Sequence, residues 1–305
     1  MNITQLKTDI DTMISSYRLG VYTPKEIFMH RLLKLRYGME KAQIIRAEKK
    51  YLKLKKKYLN DDVWNFNGVK LPAYSPEFSM PRALYGIFMD TLFVYCNFND
   101  NYDFKLVDKL DLCLPEGTYG YIKDNFDVTV KKDDVVLDCG AWIGDFSAYA
   151  AHKGAQAYAF EPSKQTIEYL KITQKLNGNI HIVEKGLSDK TETSYLEHNN
   201  LNTGGNFISS SESETAEKIE ITTIDDFVAE NNLKKVDFIK ADIEGFERYM
   251  LKGATKTLKT FAPKLAICTY HLPDDPETLA KIILEANPAY TIIQKKKKLY
   301  AAVIE

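Results

Sequence analysis

The stretch from Val135 to Pro162 constrains the chain more than any other. An apolar run, Val135-Val-Leu-Asp138-Cys139, enters a turn that holds Gly140 and Gly144. A helix-like segment follows, and a second apolar run, Ala157 to Phe160, ends in Glu161. This is a strand, a glycine turn, a helix, and a second strand with an acid at its tip. The layout suits an adenosine-containing cofactor. The acid can accept both ribose hydroxyls, and glycines let the backbone approach a ligand closely. Glu161 lies about twenty residues past the turn, as a nucleotide-binding unit requires. An ordinary strand–turn–helix without a ligand is the competing reading.

Two cofactor classes share this layout. Dinucleotide binders use G-x-G-x-x-G to set a pyrophosphate on a helix N-terminus, and the spacing here does not match. Asp138 stands just before the turn, where it would repel a pyrophosphate but could help fix a cationic aminoacyl group. S-adenosylmethionine carries an ammonium and a sulfonium and no phosphate, so acids on both strand tips suit it.

Three later segments extend the pattern. Ile182-Val-Glu-Lys185 and Gly186-Leu-Ser-Asp189 read as a third strand and its exit loop. Val236 to Glu247 reads as a fourth strand, a turn and a helix start, and Pro263 to Tyr270 as a fifth strand. Asp138-Cys-Gly-Ala-Trp-Ile-Gly144, Glu161-Pro162, Gly186-Leu-Ser-Asp189, Ile239-Lys-Ala-Asp-Ile-Glu-Gly-Phe-Glu247 and Pro263-Lys-Leu-Ala-Ile-Cys-Thr-Tyr-His271 together resemble the FkbM-type methyltransferase family. The resemblance runs from about Glu116 to the C-terminus. It implies an α/β, Rossmann-like class I methyltransferase sheet, mostly parallel with an antiparallel C-terminal strand. It also implies S-adenosylmethionine-dependent O-methylation, often of sugars or secondary metabolites. On the matched motifs, the expected cofactor-binding set is Asp138, Gly140, Ala141, Trp142, Gly144, Glu161, Gly186, Leu187, Ser188 and Asp242. Trp142 departs from the Asn more usual at its place in the family, which bears on a detail of the pocket.

The chain has 305 residues, of which 45% are hydrophobic, enough for one large or two modest domains with a real core. A net charge of −1 supplies no global field for nucleic acid or an anionic membrane. None of the four cysteines is spaced as C-x-x-C, so no zinc site is expected. Cys139 reads as a small packing residue rather than a nucleophile. Reduced thiols and the lack of a signal-peptide pattern at Met1 to Gln5 suggest a cytoplasmic protein. The best apolar stretch, Tyr85 to Phe98, is broken by Asp90 and too short to span a bilayer, so no transmembrane segment is expected.

Residues 1–110 read as a mainly helical N-terminal domain, and residues 111–305 as the S-adenosylmethionine-binding methyltransferase domain. Thr23-Pro24-Lys25-Glu26 has an N-cap residue, a first-turn proline and an acid three after the cap. Helical periodicity continues to Leu54 and ends in a lysine-rich stretch around Lys49 to Lys57. These helices could form a homodimer interface or an intrachain hairpin. Asn199 to Glu217 is loop-like, either a lid or a disordered segment. Ile219 to Ile224 alternates like a strand, and Asp275 to Ala286 reads as a helix. Tyr290 to Gln294 and Leu299 to Ile304 read as strands joined by an exposed turn at Lys295 to Lys298.

Ligands of open parallel sheets bind beyond the carboxyl ends of the strands. That puts Asp242, Glu244 and His271 at the chemistry. His271 is the expected general base, because histidine titrates near working pH. Asp242 would fix the methionine moiety or the acceptor, and Glu244 would bind acceptor hydroxyls. Two carboxylates and a histidine can also hold a divalent metal. Glu247 reads as a first-turn acid serving its helix dipole. Tyr119 and Tyr121, beside a glycine-containing loop, are candidates for stacking on a sugar. The expected acceptor is a sugar hydroxyl of a bacterial polysaccharide or its precursor, a class implied by the resemblance. The rival readings are an NAD-dependent oxidoreductase and a non-catalytic scaffold that binds a polysaccharide or partner.

Overall fold

A computed structural model describes residues 55–66, 68–73, 119–198, 206–209 and 216–304, together with single helical positions 25, 28, 29, 32, 36 and 52. Near the start, β1 (Leu59–Asn60), β2 (Val63–Phe66) and β3 (Val69–Pro72) form an antiparallel sheet. A hairpin of β4 (Tyr121–Lys123) and β5 (Phe126–Val128) leads into β6 (Val135–Cys139) and α1 (Asp145–His152). Next come β7 (Gln156–Phe160), α2 (Lys164–Asn177), β8 (Ile180–Val183), β9 (Gly186–Leu187), β10 (Glu192–Glu197), β11 (Phe207–Ser209), β12 (Glu217–Thr222) and α3 (Ile224–Glu230). The chain closes with β13 (Phe238–Ala241), α4 (Glu247–Lys252), α5 (Thr255–Phe261), β14 (Lys264–Cys268), α6 (Asp275–Ala286), β15 (Tyr290–Lys295) and β16 (Lys298–Val303).

Seven strands make the central sheet, in the order β15-β16-β14-β13-β6-β7-β8. Only β16 runs against the others, pairing antiparallel with both β14 and β15. This is the mostly parallel class I methyltransferase sheet that the motifs imply. Alternation along each strand sends side chains to two buried layers. Val136, Phe238 and Ala266 face a layer built with Phe146 of α1 and Leu170 of α2. Leu137, Ile239 and Ile267 face Met250, Leu258 and Leu279 of α4, α5 and α6. Strand order reverses between β6 and β13, and a cleft opens at the carboxyl ends of such a switch point.

Three sequence expectations change. Leu59–Asn60, Val63–Phe66 and Val69–Pro72 are strands rather than part of a helical domain, and they pack on the methyltransferase fold. The Asn177 side chain holds Lys70 through both its backbone groups, at 3.0 and 2.7 Å. The overlooked signal is Asn67-Gly68, a hairpin dipeptide flanked by alternating apolar residues, with Phe66 paired to Val69. The rest of residues 1–110, including the candidate dimer helices and the Tyr85 to Phe98 stretch, lies outside the described positions apart from the few named above. Among the described residues no helix is long and apolar enough to cross a membrane.

The second change concerns Gly186-Leu187, which is a short strand, not only an exit loop. It pairs parallel with β12 and completes a second sheet, β11-β10-β12-β9. Phe207–Ser209, inside the loop-like segment, pairs antiparallel with β10, and Ile208 packs on Leu196, Ile219 and Ile221. The third is Lys298. It is 2% exposed rather than a solvated turn residue, because it opens β16 and points inward.

Candidate active site

The turn after β6 is built by close approach. Gly140 and Ala141 donate to the Phe160 carbonyl at 3.2 and 2.9 Å, tying the turn to β7. Gly140 has φ +76°, and a Cβ there would stand 2.0 Å from the Asp242 carbonyl oxygen. Only glycine lets the ends of β6 and β13 meet in this way. Trp142 also has a positive φ, 48°. Asn tolerates this left-handed conformation better than other side chains, which gives a physical reason for the family's usual residue. Trp142 adopts it with its N–H donating to Glu161 Oε2 at 3.0 Å. Gly144, with φ +83°, then caps α1.

Glu161 closes the other side of the turn. Its second oxygen accepts the Ser163 N–H at 2.9 Å. Burial pushes this carboxyl up to about 7, although the two N–H donors and Lys240 pull the other way. Glu161, Gly140 and Trp142 line a cleft together with Gly186, Leu187, Asp242 and Glu244. Leu196 and Ile208 of the second sheet form its far wall.

Other expected cofactor residues stand behind the cleft. Asp138 is fully buried and does not line it. Its Oδ1 lies 3.0 Å from Lys240 Nζ, and its Oδ2 accepts from Ser147 Oγ at 2.6 Å. Lys240 also donates to the Gly140 carbonyl at 2.6 Å, so the ion pair braces the glycine turn from beneath. Asp138 therefore meets a lysine where the sequence reading gave it a ligand ammonium. Ala141 is wholly buried, and Ser188 is 3% exposed with its N–H spent on Thr222.

Four groups gather beyond the carboxyl ends of β13 and β14. Asp242 accepts the hydroxyls of Tyr119 and Tyr270, at 2.6 and 3.2 Å. Burial opposes its ionisation, but Lys240 and Lys298 win and hold the carboxyl below its usual range. Glu244 sits in the turn with φ +53°, and burial raises its carboxyl. His271 Nε2 lies 3.6 Å from Asp242 Oδ1 and 3.4 Å from Glu244 Oε2. Its Nδ1 lies 3.0 Å from Glu247 Oε1. Burial alone would lower the His271 pKa, but Glu244, Glu247 and Asp242 raise it to about 10.

Several roles shift accordingly. A histidine held protonated by three carboxylates is a poor general base at neutral pH. Glu247 is the first-turn acid of α4, as expected, and it is also fully buried and shapes the turn by accepting the N–H groups of Ile243 and Gly245 at 2.9 and 3.0 Å. Tyr121 is core: it is almost fully buried, its ring stacked on Tyr300 with centroids 5.0 Å apart, so it offers no surface to a sugar. Tyr119 is also buried, with Lys298 Nζ 4.3 Å and Lys240 Nζ 5.3 Å from its ring centroid and its hydroxyl donating to Asp242. Burial pushes the thiols of Cys139 and Cys268 well up, so neither is a nucleophile.

Sequence reasoning passed over Lys240, Lys298 and Tyr270. The available signal was a lysine inside the apolar strand Phe238–Ala241, whose register partner is Asp138. An unpaired buried lysine is costly, so an acid beside it was required.

Residues 138–291 match the model of the methyltransferase FkbM domain. The chain belongs to the FkbM methyltransferase family. A curated relative, the hexuronic acid methyltransferase AglP of Haloferax volcanii, is 28% identical over 158 residues, 52% of this chain. The FkbM family chain spans 64% of that relative's length. Among solved structures, the methyltransferase FkbM of Methylobacillus flagellatus is 20% identical with a TM-score of 0.44, covering 85% of this chain and 60% of its own. The Aeropyrum pernix fibrillarin, solved with natively bound S-adenosylmethionine, is 12% identical with a TM-score of 0.36, covering 57% of this chain and 68% of its own.

Proposed function

We propose that the protein is an S-adenosylmethionine-dependent O-methyltransferase whose acceptor is a sugar hydroxyl, in a polysaccharide or its precursor. The observation that carries the cofactor is Glu161. It is a buried acid at the cleft wall, with both oxygens anchored by backbone N–H groups and lone pairs left for a ribose diol. Beside it, Gly140 leaves a cradle that any Cβ would fill. No phosphate-binding glycine spacing is present, which favours this cofactor over a dinucleotide. The bound cofactor would supply an electrophilic methyl group on a sulfonium. The relative's name, a hexuronic acid methyltransferase, supports a sugar acceptor.

The chain's own work is positioning and proton handling. Gly140, Trp142 and Glu161 would hold the adenosine end, and Leu187 and Ile208 would exclude water from it. Asp242 is already engaged by two tyrosine hydroxyls and kept ionised by lysines, so it is a weak base and a good electrostatic anchor. Glu244 keeps oxygen capacity toward the cleft, and its raised pKa makes it the better proton acceptor for a hydroxyl. Holding oxygen and methyl in line supplies most of the acceleration such a transfer needs.

Calorimetric titration with S-adenosylhomocysteine, with NAD in parallel, tests the cofactor. Micromolar binding of the former alone is expected, with loss of at least tenfold in Glu161→Ala. Binding of NAD alone would sink the reading. Methyl transfer from labelled donor to a panel of sugar acceptors then tests the acceptor class.

A further inference from the structure

The imidazole of His271 is 8% exposed, and its buried Nε2 makes no well-directed hydrogen bond among the described residues. Its Nε2 instead points between two carboxylates at 3.4 and 3.6 Å. Those separations exceed the roughly 2.7–3.2 Å of a hydrogen bond. They suit atoms that share a cation: two donors each about 2.1 Å from one ion stand about 3.0–3.6 Å apart for coordination angles of about 90–120°. We infer that Asp242 Oδ1, Glu244 Oε2 and His271 Nε2 form a binding site for one divalent first-row transition ion at the end of β13.

The surroundings are built for this. Glu247, buried and anchored by two backbone N–H groups, faces His271 Nδ1 at 3.0 Å. Glu247 beside the far nitrogen fixes the ring, and a bound ion would displace the Nε2 proton and take up the lone pair that it frees. The tyrosine hydroxyls on Asp242 orient the second ligand. The left-handed turn at Glu244 carries the third ligand back toward His271. One imidazole with two carboxylates favours manganese-like ions over calcium or magnesium, which prefer oxygen alone. An alternative triad, Glu247, His271 and Asp275, is geometrically close. Asp275, however, is committed to Arg248 at 2.7 Å and to the Leu272 N–H at 2.8 Å.

Asp242 and Glu244 also line the cleft, so the ion's open positions would face it. There they would suit two neighbouring oxygens of the acceptor, such as a sugar diol, with Glu244 then serving as an ion ligand in place of its role as proton acceptor. This last step rests on the methyltransferase reading, whereas the ion site does not.

The test uses the full chain, dialysed against a chelator and titrated with manganese chloride. Calorimetry should give one site per chain. Electron-spin-echo spectra of the bound Mn²⁺ should show coupling to an imidazole nitrogen. Glu244→Gln and His271→Gln, checked for folding by circular dichroism, should weaken binding at least tenfold, and His271→Gln should abolish the nitrogen coupling. Glu247→Gln should weaken binding about tenfold to a hundredfold while retaining that coupling. No saturable site, or binding unchanged by Glu244→Gln and His271→Gln, would overturn the inference. S-adenosylhomocysteine titrated into the same preparation separates the two readings. Its binding without manganese binding removes the ion and leaves the methyltransferase, and the reverse result leaves the ion alone.

Discussion

Replacing Gly140 by alanine tests whether the glycine turn is held by contact or only by conformation. The added Cβ would meet the Asp242 carbonyl oxygen at 2.0 Å, and the Asp242 carbonyl carbon and Ile243 Cγ2 at 2.9 Å. The first two are backbone atoms, so no rotamer change relieves them. Alanine at φ +76° carries a strain of about 1–2 kcal/mol. Forcing the ends of β6 and β13 apart adds about 1–3 kcal/mol, as overpacking does elsewhere. Together these give a loss of about 2–5 kcal/mol, large beside the roughly 5–15 kcal/mol that holds a domain folded. Gly154→Ala is the control. Its φ is +85°, but the nearest atom to a Cβ is Cγ of Lys132, at 3.1 Å on an exposed, flexible side chain. It should cost only the strain. Urea denaturation of the two variants should differ by about 1–3 kcal/mol. S-adenosylhomocysteine affinity should fall at least tenfold in Gly140→Ala and stay unchanged in Gly154→Ala. Equal stability losses would refute the argument that β6 and β13 meet through this glycine.

Two further predictions follow from buried charge. Lys240→Met leaves Asp138 without its cation and should cost about 3–5 kcal/mol by denaturant titration, with at least half of that recovered in Asp138→Asn/Lys240→Met. An additive double mutant would show that the pair does not brace the turn. The second concerns Glu161, whose carboxyl is raised to about 7 from 4.5. The folded state holds a proton that the unfolded chain has released. This stabilising contribution is therefore complete below about pH 4.5 and lost as pH rises through about 7, at most about 3 kcal/mol in the ligand-free protein. S-adenosylhomocysteine affinity should move the opposite way, rising between about pH 6 and 8, because the ionised form accepts ribose hydroxyls. Affinity that is flat across this range would remove Glu161 from ribose binding.

The elements legible in the chain were those with local signatures. The strand Val135–Cys139 carries Asp138 near its end, Gln156–Phe160 runs into Glu161, and Asp275–Ala286 has a proline in its first turn; each lies where its pattern places it. The three short strands β1 to β3 were hidden because a long helical periodicity precedes them, although the dipeptide Asn67-Gly68 in the sequence signals a hairpin. The site was legible as a set of positions at strand ends, and its chemistry was not. His271 reads as a base from its residue type, but the side chains around it set its proton affinity. Those side chains come from a strand end, a turn and the first residue of a helix.

The succession of the motif-bearing strands along the chain, the glycine turn and the acid at the tip of β7 follow from the sequence, because they rest on backbone conformation and on apolar runs over a few residues. Which charges meet does not. Asp138 and Lys240 are 102 positions apart and become neighbours only through the register of β6 with β13. Lys298 lies in a run of four lysines, and only the pairing of β16 with β14 turns it inward over Tyr119. Interactions that depend on long-range register decide which acids are ionised and which can take a proton. Those were settled by the tertiary structure alone.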